Sequence, residues 1–287
     1  MGRELFESSA PARAIFEEAD QVVGFALSRL CFEGPEEELQ LTANTQPAIL
    51  THSIAALAEL RAGSPERLEG AGFAAGHSLG EYSACVAAGA LTFPDAIRLV
   101  RRRGEFMQEA VPAGVGAMAA VIGLPAAEVE AVCREVSGEE VVSAANYNSP
   151  EQTVIAGHAG AVERASAACL ARGAKRAIRL PVSAPFHSAL MRPARERMRE
   201  LLAATEVSHA QFPVVTNVDA EPAWRGELLR DALVRQIDSP VRWVDSVRRL
   251  AAEGVDRALE IGPGNVLAGL VRRIEKAIRV EAAAGPA

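Results

Sequence analysis

Cysteine is scarce in this chain and never clustered. Cys31, Cys85, Cys133 and Cys169 stand far apart in apolar or helical surroundings, with no C-x-x-C among them. That spacing argues against a disulfide framework and against a zinc site. Long apolar runs are missing too, so no segment reads as a membrane span. The opening MGRELFESSA lacks the charged-then-apolar layout of a secretory signal. Positive charge is not in excess: the net charge of −7 argues against a nucleic-acid binder, which normally has a basic face and a high pI. Low-complexity tracts and internal repeats are absent. The reading is a soluble protein of a reducing, cytoplasmic compartment. It is expected to be ordered except at its first few residues and its tail, EAAAGPA.

What is present is a chain of 287 residues, 49% apolar, enough for one large domain or one domain with an insertion. Apolar residues recur at helical spacing from Ser8 to Leu30. A second helix is expected from about Asn44 to Gly63. GAGFAAG (70–76) is short, apolar and glycine-bounded, as a buried strand would be, and LGEYSACVAAGA reads as the helix after it. Thr92 and Asp95 make a capping-box-like start to the next helix. The rhythm then changes. Residues 114–183 read β-α-β-β-α-β, the split βαβ pattern of a ferredoxin-like unit. Residues 1–113 and 184–287 form the larger domain, with a further strand at FPVVTN (212–217). Strands alternating with helices give an α/β fold with a mostly parallel sheet covered on both faces.

Gly76-His77-Ser78-Leu79-Gly80 fits G-x-S-x-G, the sharp strand-to-helix turn that lifts a serine oxygen clear of the backbone. The small residues on either side are expected to avoid clashes in that turn. The Leu79 amide and the helix N-terminus would face a developing oxyanion. A serine nucleophile needs a base, and the chain has five histidines. His187, in a loop at a helix start, is the best placed. Spacing alone does not separate it from an ordinary surface histidine. In RLVRRRG (98–104), Arg103 is the arginine nearest the apolar face of its helix, while Arg101 and Arg102 point elsewhere. A charge on that face either reaches the edge or awaits an anion.

GHSLGEYSA, RRGEFMQEAVP, ANYNSPEQTVIAG, PVSAPFHSALM and EIGPGNVLAGL, in that order over nearly the whole chain, together resemble the malonyl-CoA:acyl carrier protein transacylase family. The resemblance implies an α/β-hydrolase-like core with a ferredoxin-like subdomain. It implies a malonyl group carried on Ser78, with His187 as base and the backbone carbonyl of Gln236 orienting it. It implies Arg103 paired with the malonyl carboxylate, and Asn146 and Asn148 near the pantetheine cleft. The partners implied are malonyl-CoA and phosphopantetheinylated acyl carrier protein, with no metal or redox cofactor. The chain is expected to act as a monomer. Arg192, Arg195 and Arg199 are expected to receive the acidic carrier.

Other readings use the same residues. One is a transacylase of a polyketide synthase, and one is an esterase or thioesterase, which expects an acid between serine and histidine. Another is a catalytically impaired carrier-binding homologue. The family's opening strand and its Gly-Gln-Gly-Ser-Gln loop have no counterpart before GRELFESS. The expectation is a start codon upstream of Met1, against the alternative of a chain lacking one oxyanion donor.

Overall fold

The computed structural model describes residues 1–182 and 184–283. The amino-terminal quarter is helical: α1 (Arg3–Ser8), α2 (Ala10–Val23), α3 (Leu27–Glu33), α4 (Glu36–Gln40) and α5 (Thr42–Gly63). The single helix expected over 8–30 is therefore cut twice. Ser9 is extended and caps α2, its hydroxyl accepting the Ala12 N–H at 3.2 Å. Gly24 ends α2 in the left-handed region at φ 79°. The first residues, expected to be unordered, form α1. Of the tail, Glu281 and Ala282 belong to a strand, and 284–287 lie outside the described residues.

The strand β1 (Ala74–Ala75) leads into α6 (Gly80–Ala87) and α7 (Phe93–Glu109). Thr92 caps α7, accepting the Asp95 N–H at 3.2 Å. Helix α5 is buried on most of its surface and is the central post of the core. Helix α7 crosses it closely. A methyl group built on Gly104 would come within 2.6 Å of the Ala43 Cα and the Thr42 carbonyl.

Residues 116–179 form a separate layer: β2 (Gly116–Ile122), α8 (Ala126–Val136), β3 (Val142–Ser149), β4 (Gln152–His158), α9 (Ala159–Ala171) and β5 (Arg176–Arg179). The strand order is β3-β4-β2-β5, antiparallel throughout. This is the ferredoxin-like arrangement, with its own core around Val121, Val129, Val132 and Ile155. Its edge strand β3 meets the large domain at Val241, whose N–H and carbonyl bond Ala145 and Tyr147 at 2.9 Å.

The chain then continues through α10 (Arg192–Ala203), β6 (Val214–Val215), β7 (Pro222–Ala223), α11 (Gly226–Arg235), α12 (Trp243–Ala252), β8 (Arg257–Glu260), α13 (Val266–Ile274) and β9 (Arg279–Ala282). The strands expected at 70–76 and 212–217 shrink to two residues each. They pair in parallel only at Ala74–Val214 and Ala75–Val215. Outside the ferredoxin-like layer the strands form two pieces, β1-β6-β7 and β8-β9; the β1–β6 and β8–β9 pairs are parallel, as in the mostly parallel sheet expected, and only β6–β7 is antiparallel. No helix among the described residues is long and apolar enough to cross a membrane.

The close crossing at Gly104 gives a direct test. Gly104→Ala forces two helix backbones apart and should cost about 1–3 kcal/mol, read as a clear drop in thermal midpoint. An unchanged midpoint would contradict the packing described.

Candidate active site

Ser78 sits where β1 turns into α6, in the left-handed region at φ 51°. A side chain at Gly76 would strike the Gly80 carbonyl at 2.0 Å, so glycine there is a steric necessity. Gly80 differs from expectation. A methyl group there meets nothing within 4 Å, because it is the Gly80 backbone that crowds Gly76. The backbone bonds of the turn run from the amides of Gly80, Glu81 and Tyr82 to the carbonyls of His77, Ser78 and Leu79. The Leu79 amide takes no part in these, next to the serine.

His187 lies in the loop before α10, also left-handed at φ 59°. Its Nε2 is 2.7 Å from the Ser78 Oγ, and its Nδ1 is 2.9 Å from the Gln236 carbonyl oxygen. A carbonyl only accepts, so Nδ1 carries the hydrogen and Nε2 is free to accept the serine proton. Burial, aided by the positive charge of Arg103, lowers the His187 pKa from 6.5 to about 3.

Arg103 is 2% exposed. One terminal nitrogen donates to Gln46 Oε1 at 2.7 Å; the other donates to Gln236 Oε1 at 2.8 Å and to Ser78 Oγ at 3.1 Å. Its guanidinium lies 5.7 Å from the centre of the Tyr82 ring. Every group it touches is neutral. Arg101 and Arg102 pair with Glu105 instead.

Gln236, in a turn directly after α11, is wholly buried. Its side-chain nitrogen donates to the Ser78 carbonyl at 2.9 Å and to Glu81 Oε2 at 2.8 Å. Two further residues escaped the sequence reading. Asn217, just past β6, accepts the Ser78 N–H and donates to the Gly76 carbonyl, both at 2.7 Å, so one amide spans the elbow. Its own N–H goes to Glu81 Oε2 at 3.0 Å. The available signals were an asparagine ending an apolar strand and a lone carboxylate in the apolar helix three residues past the serine.

The two asparagines of β3 stand further off. Asn148 accepts from His77 Nε2 at 2.7 Å, and the His77 ring leans on Trp243 at 5.7 Å. Asn148 thus touches the elbow through His77. Asn146 is buried in the bridge to Val241 and is not part of the cluster. Among the described residues no group of three or more His, Cys, Asp or Glu could hold a metal ion.

The lowered His187 pKa has a defined sign. The folded imidazole stays neutral while an unfolded one takes up a proton near pH 6.5, so this burial weakens the fold progressively from pH 6.5 down to about 3. An NMR titration of the folded protein should find His187 neutral at pH 5. A midpoint near 6.5 would contradict the buried geometry.

Comparison with known proteins agrees with this architecture. The family model for the acyl transferase domain matches residues 1–285. The chain is 48% identical over 289 residues to the malonyl CoA-acyl carrier protein transacylase of Bacillus subtilis (strain 168), covering 100% of this chain and 89% of that one. It is 52% identical over 259 residues to the enzyme of the same name from Escherichia coli (strain K12), covering 90% and 83%. The solved acyl-carrier-protein S-malonyltransferase of Bartonella henselae superposes with a TM-score of 0.96 at 43% identity, covering 99% and 91%. A malonyl-transacylase solved in complex with a holo type II PKS acyl-carrier protein gives 0.94 at 46% identity, covering 98% and 90%. This chain belongs to the acyl transferase domain family.

Proposed function

We propose that Ser78, His187, Arg103 and the Gln236 carbonyl carry out malonyl transfer from malonyl-CoA to the phosphopantetheine thiol of acyl carrier protein, the malonyltransferase step of fatty-acid synthesis. The observation that carries this reading is Arg103. A buried cation held only by neutral acceptors, 3.1 Å from the Ser78 oxygen, is placed to receive a carboxylate on the acyl group that Ser78 takes up. An arginine can meet such a carboxylate with two parallel bonds.

The reaction divides into two like halves. Ser78 gives its proton to His187 Nε2 as its oxygen bonds to the thioester carbonyl carbon. The carbon–sulfur bond breaks, and the His187 proton passes to the departing CoA sulfur. The negative oxygen of the intermediate lies toward the Leu79 amide at the α6 N-terminus. In the second half the carrier thiol gives its proton to His187 and its sulfur takes the malonyl carbon. Ser78 Oγ leaves and recovers the proton. Through both halves the Gln236 carbonyl holds the Nδ1 hydrogen, so imidazole orientation depends on a backbone group and not on an acid. That feature favours this reading over the esterase pattern of serine, acid and late histidine.

On the surface proposed to meet the carrier, Arg195 is bound at 3.1 Å to Asp238, whose side chain is largely covered, and Arg199 to Glu196 at 2.7 Å. Arg195 therefore holds the turn that carries Gln236, which leaves Arg192 as the freer charge for an acidic partner.

Intact mass spectrometry after brief incubation with malonyl-CoA should show one malonyl adduct. Ser78→Ala should abolish it, and holo acyl carrier protein should discharge it from the parent. An adduct that survives Ser78→Ala would overturn the assignment of the nucleophile, and a folded parent without adduct would overturn the activity.

A further inference from the structure

Glu81 lies on the first turn of α6, three residues past Ser78, and has no exposed surface. It bonds neither the Ser78 hydroxyl nor His187. Its Oε2 accepts two N–H groups, from the Asn217 backbone at 3.0 Å and from the Gln236 side chain at 2.8 Å. Its Oε1 has no partner among the described residues.

The two donors are the residues on which nucleophile and base depend. Asn217 grips the elbow at both ends through Gly76 and Ser78. Gln236 takes the His187 Nδ1 hydrogen on its carbonyl while its side chain reaches the Ser78 carbonyl and Arg103. Asn217 follows β6 and Gln236 follows α11, 19 positions apart and both at least 139 positions from Ser78. Gln236 also reaches Asn217 Oδ1 at 3.4 Å, but the shorter link between the two residues is the Glu81 carboxylate oxygen, which accepts from both.

Resting on the reading of Ser78 and His187 given above, we propose that Glu81 is a positioning residue for the transfer, its Oε2 locking Asn217 to Gln236 and so fixing the serine–imidazole contact. What the role requires is an acceptor at the right reach. The charge is an encumbrance: burial pushes the Glu81 pKa up from 4.5 to about 7 even though Asn217, Gln236 and Arg103 pull it down. The ionisable groups around it are Arg103 on α7, Asp219 beyond β6, and Tyr82 and Cys85 on its own helix. An amide oxygen at the same position would accept both bonds. A carboxylate one methylene shorter would keep the charge and lose the reach.

This separates two variants that charge and reach rank oppositely. Glu81→Gln should transfer malonyl within about threefold of the parental kcat, whereas Glu81→Asp should lose roughly 10- to 100-fold, the scale of an ångström-level misplacement. Glu81→Met, which keeps the volume and removes the acceptor, should fall with Asp even if Asp does not fold. Rates are taken per active site, counted by the malonyl-enzyme burst, so that loss of folded protein does not count as loss of rate. KM for malonyl-CoA should stay near the parental value, because Glu81 touches no substrate. Glu81→Asp equal to or faster than Glu81→Gln would overturn the proposal, as would parental rates in Met, or a loss confined to KM. A parent that forms no malonyl-serine would instead remove the reading of Ser78 on which the proposal stands.

Discussion

The arrangement depends on a buried guanidinium with no carboxylate against it. Placing a cation away from water is costly unless it is paired, and Arg103 is given only partial compensation. Gln46 and Gln236 offer amide oxygens, Ser78 a hydroxyl and Tyr82 a ring face. The nearest anion, Glu81, is held one residue away behind the Gln236 amide. The site thus has an unmet demand for negative charge beside the nucleophile. In the proposed reaction that demand selects the acyl group, and the close crossing of α5 and α7 at Gly104 sets Arg103 beside Ser78.

Backbone strain is concentrated at the proposed nucleophile and base. Ser78 and His187 are two of only three non-glycine residues with positive φ among the described residues. Such conformations persist where surrounding bonds over-determine them. Here Asn217 holds both sides of the elbow, and Gln236 bonds to the Ser78 carbonyl and to His187 at once. The short parallel pair of β1 and β6 matters less for its hydrogen bonds than for bringing the elbow and Asn217 to the same end of the sheet.

The parts of the site that follow a local rule were legible in the sequence. Ser78 announces itself through G-x-S-x-G, and Arg103 through its place on the apolar face of a helix. Gln236 had no local signal, since it acts first through a backbone carbonyl that any residue possesses; only resemblance pointed to it. Asn217 and Glu81 act across 139 and 155 positions of sequence in their contacts with Ser78 and Gln236, a relation that periodicity cannot carry. The ferredoxin-like layer was readable because three of its strands run seven or eight residues and alternate cleanly with two helices. The two-residue strands β1 and β6 were overestimated, because Gly70, Ala71 and Gly72 ahead of β1 are exposed, and Phe212 and Pro213 ahead of β6 are half-buried and add no pair to the ladder. The first helix was overrun for a different reason: apolar spacing continues past Ser9 and Gly24, where a cap and a left-handed glycine cut it.

The most direct test of the account is acyl selectivity. The ratio of kcat/KM for malonyl-CoA over acetyl-CoA should be large in the parent and should collapse by about 10²- to 10³-fold in Arg103→Met, in line with the loss of a buried charge pair. The collapse should come from the malonyl side, with acetyl transfer retained or raised. A ratio unchanged by Arg103→Met would contradict the claim that this guanidinium chooses the substrate.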